Sequence, residues 1–173
     1  MKENIKPNKI HFKIGSLEWL TFFGIPIALI ANGLISGFFY LKDMNSFKAT
    51  DFLIVSVSTL LIGISTYLLQ LKRLNFKSFE LAQKLEDFKE NARTILTENN
   101  WRIENDNQNF IVASSQGKLF SSDMLILRFK KKEIQWNLIQ HPWSHNSGAA
   151  ILNLNKKGKK ILEKIKASAE HHV

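Results

Sequence analysis

Two long apolar segments, separated by a short polar one, dominate the first half of the chain. The first covers residues 17–41 with Glu18 as its only charge, and the second covers residues 52–71 with none. Each is long enough to cross a hydrocarbon core of about 30 Å as a helix that rises about 1.5 Å per residue. Because a spanning segment must satisfy its backbone hydrogen bonds internally, this pattern predicts a transmembrane helical hairpin.

After the hairpin, apolar positions follow first the period of a helix and then that of strands. Leu81, Leu85 and the apolar residues up to Ile95 recur at steps of three and four, which predicts an amphipathic helix that begins after Ser78 as N-cap and ends near Asn99. The period then changes to two, which predicts short strands. These strands cover residues 101–103, 110–113, 124–130 and 134–138, with 149–154 as a fifth candidate, before a closing helix at 157–169.

The expected fold is therefore an N-terminal two-helix transmembrane hairpin plus a small α+β domain, an antiparallel sheet with flanking helices. The expected segments are a basic N-terminus at 1–16, the hairpin at 17–71 and a basic domain at 75–173. Lysines precede the first span, and Lys72, Arg73 and Lys77 follow the second, whereas the lysines of the turn are balanced by Asp43 and Asp51. The positive-inside rule then predicts a multi-pass protein of the inner (cell) membrane with both termini cytoplasmic.

Charge and composition narrow the classes of function. The net charge is +9, and after residue 71 there are eighteen Lys and Arg against eleven Asp and Glu, a net of +7. A basic domain beside a membrane is suited to anionic lipid headgroups or to a phosphorylated or acidic partner. The chain has no cysteine, which excludes disulfides, thiolate metal sites and cysteine nucleophiles. We expect no cofactor and no binding of double-stranded nucleic acid.

Small and polar residues form a stripe along each apolar segment. Gly33 and Gly37 make a G-x-x-x-G pair in the first, a spacing that permits close approach of two helix backbones. In the second, steps of three and four connect Ser56, Thr59, Gly63 and Thr66. One interpretation is that the two spans pack against each other within one chain. The other is that these residues are oligomerisation contacts between several hairpins, with a polar pore lining as one form of that assembly.

Two basic clusters and one unusual loop are the candidate ligand-binding residues. The clusters are Lys130, Lys131 and Lys132, and then Lys156, Lys157, Lys159 and Lys160. They are either a solvated face that also touches anionic lipid, or a site for a nucleotide whose phosphates pair with lysines while its base stacks on a tryptophan. The loop contains His141, Trp143 and His145, which suit anion binding or base stacking. Pro142 opposes the helical turn that two histidines four residues apart need to bind a metal, so no metal site is predicted.

Catalytic motifs are missing from the sequence. There is no nucleophile-elbow sequence and no glycine-rich phosphate loop. Asp123 and Glu133 match the paired carboxylates of restriction-type nucleases only loosely, since Glu133 ends a run of three lysines and is typical of a hairpin turn. The pattern favours a non-enzymatic binding protein over an enzyme.

The layout of two spans in residues 17–71 followed by a small basic domain resembles the two-span membrane effectors of bacterial cyclic-oligonucleotide defence systems (CBASS and type III CRISPR). The resemblance implies a homo-oligomer in the lipid bilayer that binds a cyclic oligonucleotide messenger or another phosphorylated ligand and acts through its hairpin in antiviral defence. Two other hypotheses stay open. One is a structural or accessory subunit of a larger membrane complex, and the other is a membrane-tethered hydrolase or nuclease.

Overall fold

The structure, a computed structural model, describes residues 5–6, 9–42, 49–115, 123–141 and 156–170, without the side chains of Ile5, Lys6 and Lys156. The chain divides into two compact units. One is Phe12–Lys72, and the other combines Met1–His11 with Arg73–Val173. The N-terminal residues therefore belong to the same unit as the C-terminal domain, although the sequence pattern had placed them in a separate segment.

The described part of the first unit contains two helices, α1 (Leu17–Lys42) and α2 (Ala49–Arg73, whose last residue belongs to the second unit). Ser16 caps α1, since its hydroxyl oxygen accepts a hydrogen bond from the Trp19 N–H at 3.2 Å. By length and composition, both helices are long and apolar enough to cross a membrane. Only 28% and 11% of the residues in their most apolar 18-residue stretches are buried, so neither is the enclosed core helix of a water-soluble domain. The predicted pair of long apolar helices is confirmed.

The second unit contains an antiparallel sheet. Its five described strands are β3 (Lys77–Glu80), β4 (Trp101–Asp106), β5 (Phe110–Ser115), β6 (Asp123–Phe129) and β7 (Glu133–Gln140), in the spatial order β3-β7-β6-β5-β4. Two helices, α3 (Leu85–Glu98) and α4 (Lys156–Glu170), complete the described part of this unit together with a short N-terminal pair, β1 (Ile5–Lys6) and β2 (Lys9–Ile10). The predicted α+β fold is confirmed.

The start of α3 differs from the sequence prediction. Ser78 is not an N-cap, because it lies in β3 and pairs with Gln135 of β7. The helix begins at Leu85 after Lys84, which makes no side-chain capping bond. Strand pairing with β7 overrides the local helical pattern, because it satisfies the backbone hydrogen bonds of residues 77–80. Such a long-range pairing cannot be read from the local periodicity of the sequence. The fifth strand of the sheet is thus β3, and the candidate strand at 149–154 lies outside the described residues.

The core lies between one face of the sheet and the two helices. Alternate residues of the central strands point to this face, including Leu125, Leu127 and Phe129 of β6. They pack against Phe88 of α3 and Ile165 of α4, both of which are fully buried. The helices are amphipathic, so their apolar faces cover this side of the sheet.

The opposite face of the sheet is also buried. It presents Met124 and Ile126 of β6, together with Asn137 of β7, which is 2% exposed. The Asn137 Nδ2 donates hydrogen bonds to the carbonyl oxygens of Arg73 and Asn75, at 2.9 and 2.8 Å. The segment that connects α2 to the domain therefore lies on this second face. The N-terminal strand joins it, since the Ile10 N–H donates to the Leu74 carbonyl at 3.0 Å.

Candidate functional site

The first turn of α4 concentrates positive charge. Lysines occupy positions 156, 157, 159 and 160, and the turn contains no acidic residue. The helix dipole adds a partial positive charge at the same end, where natural helices favour acidic residues instead. The side chains of Lys157, Lys159 and Lys160 are exposed, while that of Lys156 lies outside the described residues. This end of α4 therefore presents a strongly positive surface to solvent.

A carboxylate from a neighbouring strand contacts this turn. Asp123, the first residue of β6, accepts a hydrogen bond from the backbone N–H of Gly158. Burial raises the pKa of the Asp123 carboxyl, while the Gly158 N–H and the charge of Lys157 act in the opposite direction. A Cβ atom at Gly158 would lie 2.8 Å from both Asp123 Oδ2 and Leu138 Cδ1, so this close approach needs glycine. Asp123 thus has a structural role as a cap.

The second lysine cluster lies elsewhere in the domain. Lys130, Lys131 and Lys132 form the exposed turn between β6 and β7, where Lys130 Nζ is 3.9 Å from Glu133 Oε2. Because Asp123 and this turn are at opposite ends of β6, the two clusters are separated by roughly 20 Å of strand. The structure therefore does not bring the predicted lysines together into one small site.

The histidine loop is described only at its beginning. His141 Nε2 lies 3.3 Å from Glu104 Oε1 of β4, and the His141 side chain is only 14% exposed. Trp143 and His145 lie outside the described residues. Within the ranges that the structure describes, no group of three or more His, Asp or Glu side chains is arranged to hold a metal ion.

Two lysines contact Trp136, a tryptophan for which the strand pattern indicated core packing more than base stacking. Trp136 of β7 is half-buried at the edge of the core, and its ring centroid lies 4.9 Å from Lys166 Nζ and 5.3 Å from Lys77 Nζ. Lys166 also pairs with Glu163, at 3.0 Å. The sequence pattern indicated Trp136 as a strand residue. The pairing of Lys77 with Trp136 depends on β3, where the pattern predicted the N-cap and start of a helix instead of a strand.

An open groove of about 870 Å³ lies beside α3 and the turn between β4 and β5. Its charged groups are matched in pairs. Arg93 binds both carboxylate oxygens of Asp106, at 2.6 and 3.1 Å, and this hydrogen-bonded pairing raises the pKa of Arg93. Lys89 is nearly buried and bonds to Glu86 at 2.9 Å. Since each of these cations already has a carboxylate partner, the groove is less suited to an anion than the start of α4.

In the hairpin, the small residues of both stripes face the other helix of the same chain. The Ser56 hydroxyl donates to the Gly33 carbonyl at 2.8 Å. A Cβ atom at Gly33 would lie 2.6 Å from Leu60 Cγ, one at Gly37 would lie 2.9 Å from Ser56 Oγ, and one at Gly63 would lie 3.0 Å from the Ile30 backbone nitrogen.

The two threonines of the stripe make hydrogen bonds within their own helix. The Thr59 hydroxyl donates to the carbonyls of Val55 and Ser56, and the Thr66 hydroxyl donates to those of Ile62 and Gly63. The stripe is thus used for packing within the chain. Contacts of the same residues between chains stay a prediction.

The described geometry leaves two lysine-rich surfaces of interest, the start of α4 and the surroundings of Trp136. Both lie on the α4 side of the domain, whereas His141 lies at the end of β7 beside Glu104. No family model, no curated protein and no solved structure matches the chain.

Proposed function

We propose that the chain is a non-enzymatic membrane receptor or effector whose basic domain binds an anionic, phosphate-bearing ligand. The observation that supports this proposal is the positive end of α4, where three exposed lysines adjoin a helix N-terminus. The ligand would approach from the cytoplasm, with the hairpin in the inner membrane and both termini inside. A cyclic oligonucleotide messenger has the phosphates and bases that such a surface suits.

In this proposal, the hairpin produces the response to ligand binding. Its outward faces remain apolar and exposed, including Leu34, Phe38 and Leu61, so they are available to lipid or to further copies of the hairpin. Ligand binding would favour association of several hairpins and thereby alter the membrane, as an antiviral effector requires. Because the stripe of Gly33 and Ser56 already packs within the chain, association on that stripe would need the two helices to separate, whereas the outward faces need no such change.

Binding is best measured on the full chain in nanodiscs of zwitterionic lipid, since residues 9–10 pair with residues 74–75 and a truncated domain would lose these contacts. Calorimetry with cyclic oligoadenylates at two salt concentrations should give an affinity that falls as salt rises. The triple variant Lys157→Ala, Lys159→Ala, Lys160→Ala should weaken binding by about tenfold or more, by analogy with the roughly 1 kcal/mol that each lysine contributes beside an anionic lipid surface.

The matched control makes the same change of charge at the other end of β6, in Lys130→Ala, Lys131→Ala, Lys132→Ala. We expect it to affect binding much less. A chain that shows no salt-sensitive binding to any phosphate-bearing probe would not be such a receptor. The alternative function, a structural or accessory subunit, predicts that gentle detergent extraction recovers a stoichiometric protein partner and that no small ligand binds.

A further inference from the structure

Trp136 has an unusual electrostatic environment. It lies on the face of β7 that carries the core, and its register partner across the sheet is Lys77 of the edge strand β3. Lys166 reaches the same ring from α4, so two ammonium groups lie within 5.3 Å of one indole centroid. Both contacts are in the range at which a cation is attracted by the face of an aromatic ring.

Both ammonium groups lie near the same ring, at 5.3 and 4.9 Å from its centroid, so each adds to the positive potential around the indole. Glu163 lies 3.0 Å from Lys166 and is the carboxylate that the described contacts place nearest to this pair. The cluster of Trp136, Lys77, Lys166 and Glu163 thus keeps a net positive charge beside a half-buried indole. An anion bound beside the indole would be attracted by both ammonium groups.

We infer that this cluster is a site for a nucleoside phosphate. The nucleobase would stack on the accessible part of the Trp136 ring, and the phosphate would pair with Lys77 and Lys166. The inference deepens the function proposed above and rests on it, since it assigns the aromatic part of the anionic ligand to a defined place. Base stacking on an aromatic side chain is tolerant of base identity, so we expect little preference among bases.

The cluster continues toward the lysines at the start of α4. Lys159 precedes Lys166 by seven residues, which places it on the same side of the helix about 10 Å away. Lys159 is exposed and Glu163 lies between the two on this side. A ligand with more than one phosphate could therefore extend from Trp136 along α4 to the positive end of the helix, where the calorimetric variants described above act.

The test compares AMP, ribose 5-phosphate and adenosine on the full chain in zwitterionic nanodiscs, by calorimetry and tryptophan emission. We expect AMP to bind about tenfold more tightly than ribose 5-phosphate, and adenosine to bind more weakly than AMP. Trp136→Leu should abolish the preference for AMP while it leaves the affinity for ribose 5-phosphate unchanged, and Trp136→Phe should restore part of the preference. Trp19→Leu, in the hairpin, is the control that should change neither.

Charge variants at exposed positions provide an independent readout. Lys77→Ala should lower the affinity for AMP and for ribose 5-phosphate alike by severalfold, and Glu163→Gln should raise both. If Trp136→Leu does not fold, Lys77→Ala and Glu163→Gln test the inference instead. An AMP affinity that is unchanged in both variants overturns it. Phosphatidylglycerol vesicles offer phosphate without a base, and we expect them not to quench Trp136 emission. Quenching by vesicles with none by AMP would assign the cluster to lipid headgroups and overturn the nucleotide site.

The two proposals fail in different ways. If AMP and ribose 5-phosphate bind equally, with salt dependence, the chain is still a receptor for phosphate but Trp136 is no base-stacking site. The same conclusion holds if the preference for AMP survives Trp136→Leu. If no phosphate-bearing probe binds at all, both the receptor function and the nucleotide site are wrong.

Discussion

The carboxylate of Asp123 caps α4 from the neighbouring strand, because it accepts a hydrogen bond from the backbone N–H of Gly158. The helix itself supplies only lysines in its first turn. Asp123 is 6% exposed and partly offsets the charge of that turn. This contact joins the N-terminus of α4 to the core sheet, and it gives a structural role to Asp123, which matched the paired carboxylates of nucleases only loosely.

Substitutions at Asp123 should separate its role as a hydrogen-bond acceptor from its charge. Asp123→Ala removes the acceptor and should lower the free energy of unfolding by about 1 kcal/mol, as for the loss of a helix cap. Asp123→Asn keeps an oxygen that can accept the Gly158 N–H and removes a desolvated charge, so it should be neutral or stabilising at pH 7. Urea unfolding in detergent, followed by tryptophan emission, measures both. Equal destabilisation by Asn and Ala would contradict the capping role.

The raised pKa of Asp123 predicts a specific dependence of stability on pH. The folded state holds this proton more tightly than the unfolded state, so stability falls as pH rises from about 4, the ordinary value for Asp, through the raised folded value. Above that value the penalty is constant. Asp123→Asn should remove this part of the pH profile. Urea unfolding from pH 4 to pH 8 tests the point, and a profile that keeps its shape in the variant would argue against it.

The contact between α1 and α2 can be tested with an engineered disulfide, since the chain has no cysteine of its own. A Cβ atom at Gly37 would lie 3.9 Å from the Cβ of Ser56, which is within the range of a disulfide. The double variant Gly37→Cys, Ser56→Cys should therefore oxidise within one chain and run as a monomer on non-reducing gels. Dimers or larger ladders that disappear on reduction would instead support contact of the stripe between chains. Either single variant is the control for random collisions.

Gly63 and Gly24 make a matched pair of helical glycines in the two spans. A Cβ at Gly63 would lie 3.0 Å from the Ile30 backbone nitrogen and 2.8 Å from its Cγ1, whereas nothing lies within 4 Å of one at Gly24. Gly63→Ala should push the helices apart, and Gly24→Ala should be neutral or slightly stabilising because alanine is the better helix former. The yield of the disulfide between positions 37 and 56 reports the separation. An unchanged yield in Gly63→Ala would contradict the close packing.

Asn137 should be sensitive to the loss of its donor group. Its Nδ2 binds two backbone carbonyls of the segment that follows α2. Asn137→Asp would place a buried negative charge against these two oxygens, and we expect a loss of several kcal/mol in the free energy of unfolding. Asn137→Ala should cost less, because it removes the donor without adding a charge. Hydrogen exchange at Leu74 and Asn75 would report the local release. Similar protection in both variants and the wild type would exclude this anchoring role.

Much of the fold follows from local pattern. The two apolar segments, the helix end at Asn99 and the strands near residues 101, 110, 124 and 134 all lie where periodicity placed them. The exceptions are β3 and the N-terminal pair of β1 and β2. Residues 78–80 fitted the start of a helix, but they form a strand through pairing with β7. Less of the candidate site could be predicted from the sequence. Spacing identified the lysines, but the separation of the two clusters and the meeting of Lys77, Trp136 and Lys166 depend on strand order and register.

The sequence alone determined the properties that come from summed local chemistry. These are the two helices long and apolar enough to span a bilayer, the basic charge of the domain and the α+β class, because hydropathy, charge and period need no knowledge of distant contacts. Tertiary structure decided which residues meet. Gly33 faces Leu60 within the chain, Asp123 reaches Gly158, and Trp136 lies beside Lys166. Such contacts join residues far apart in sequence, so their geometry exists only once the elements have packed.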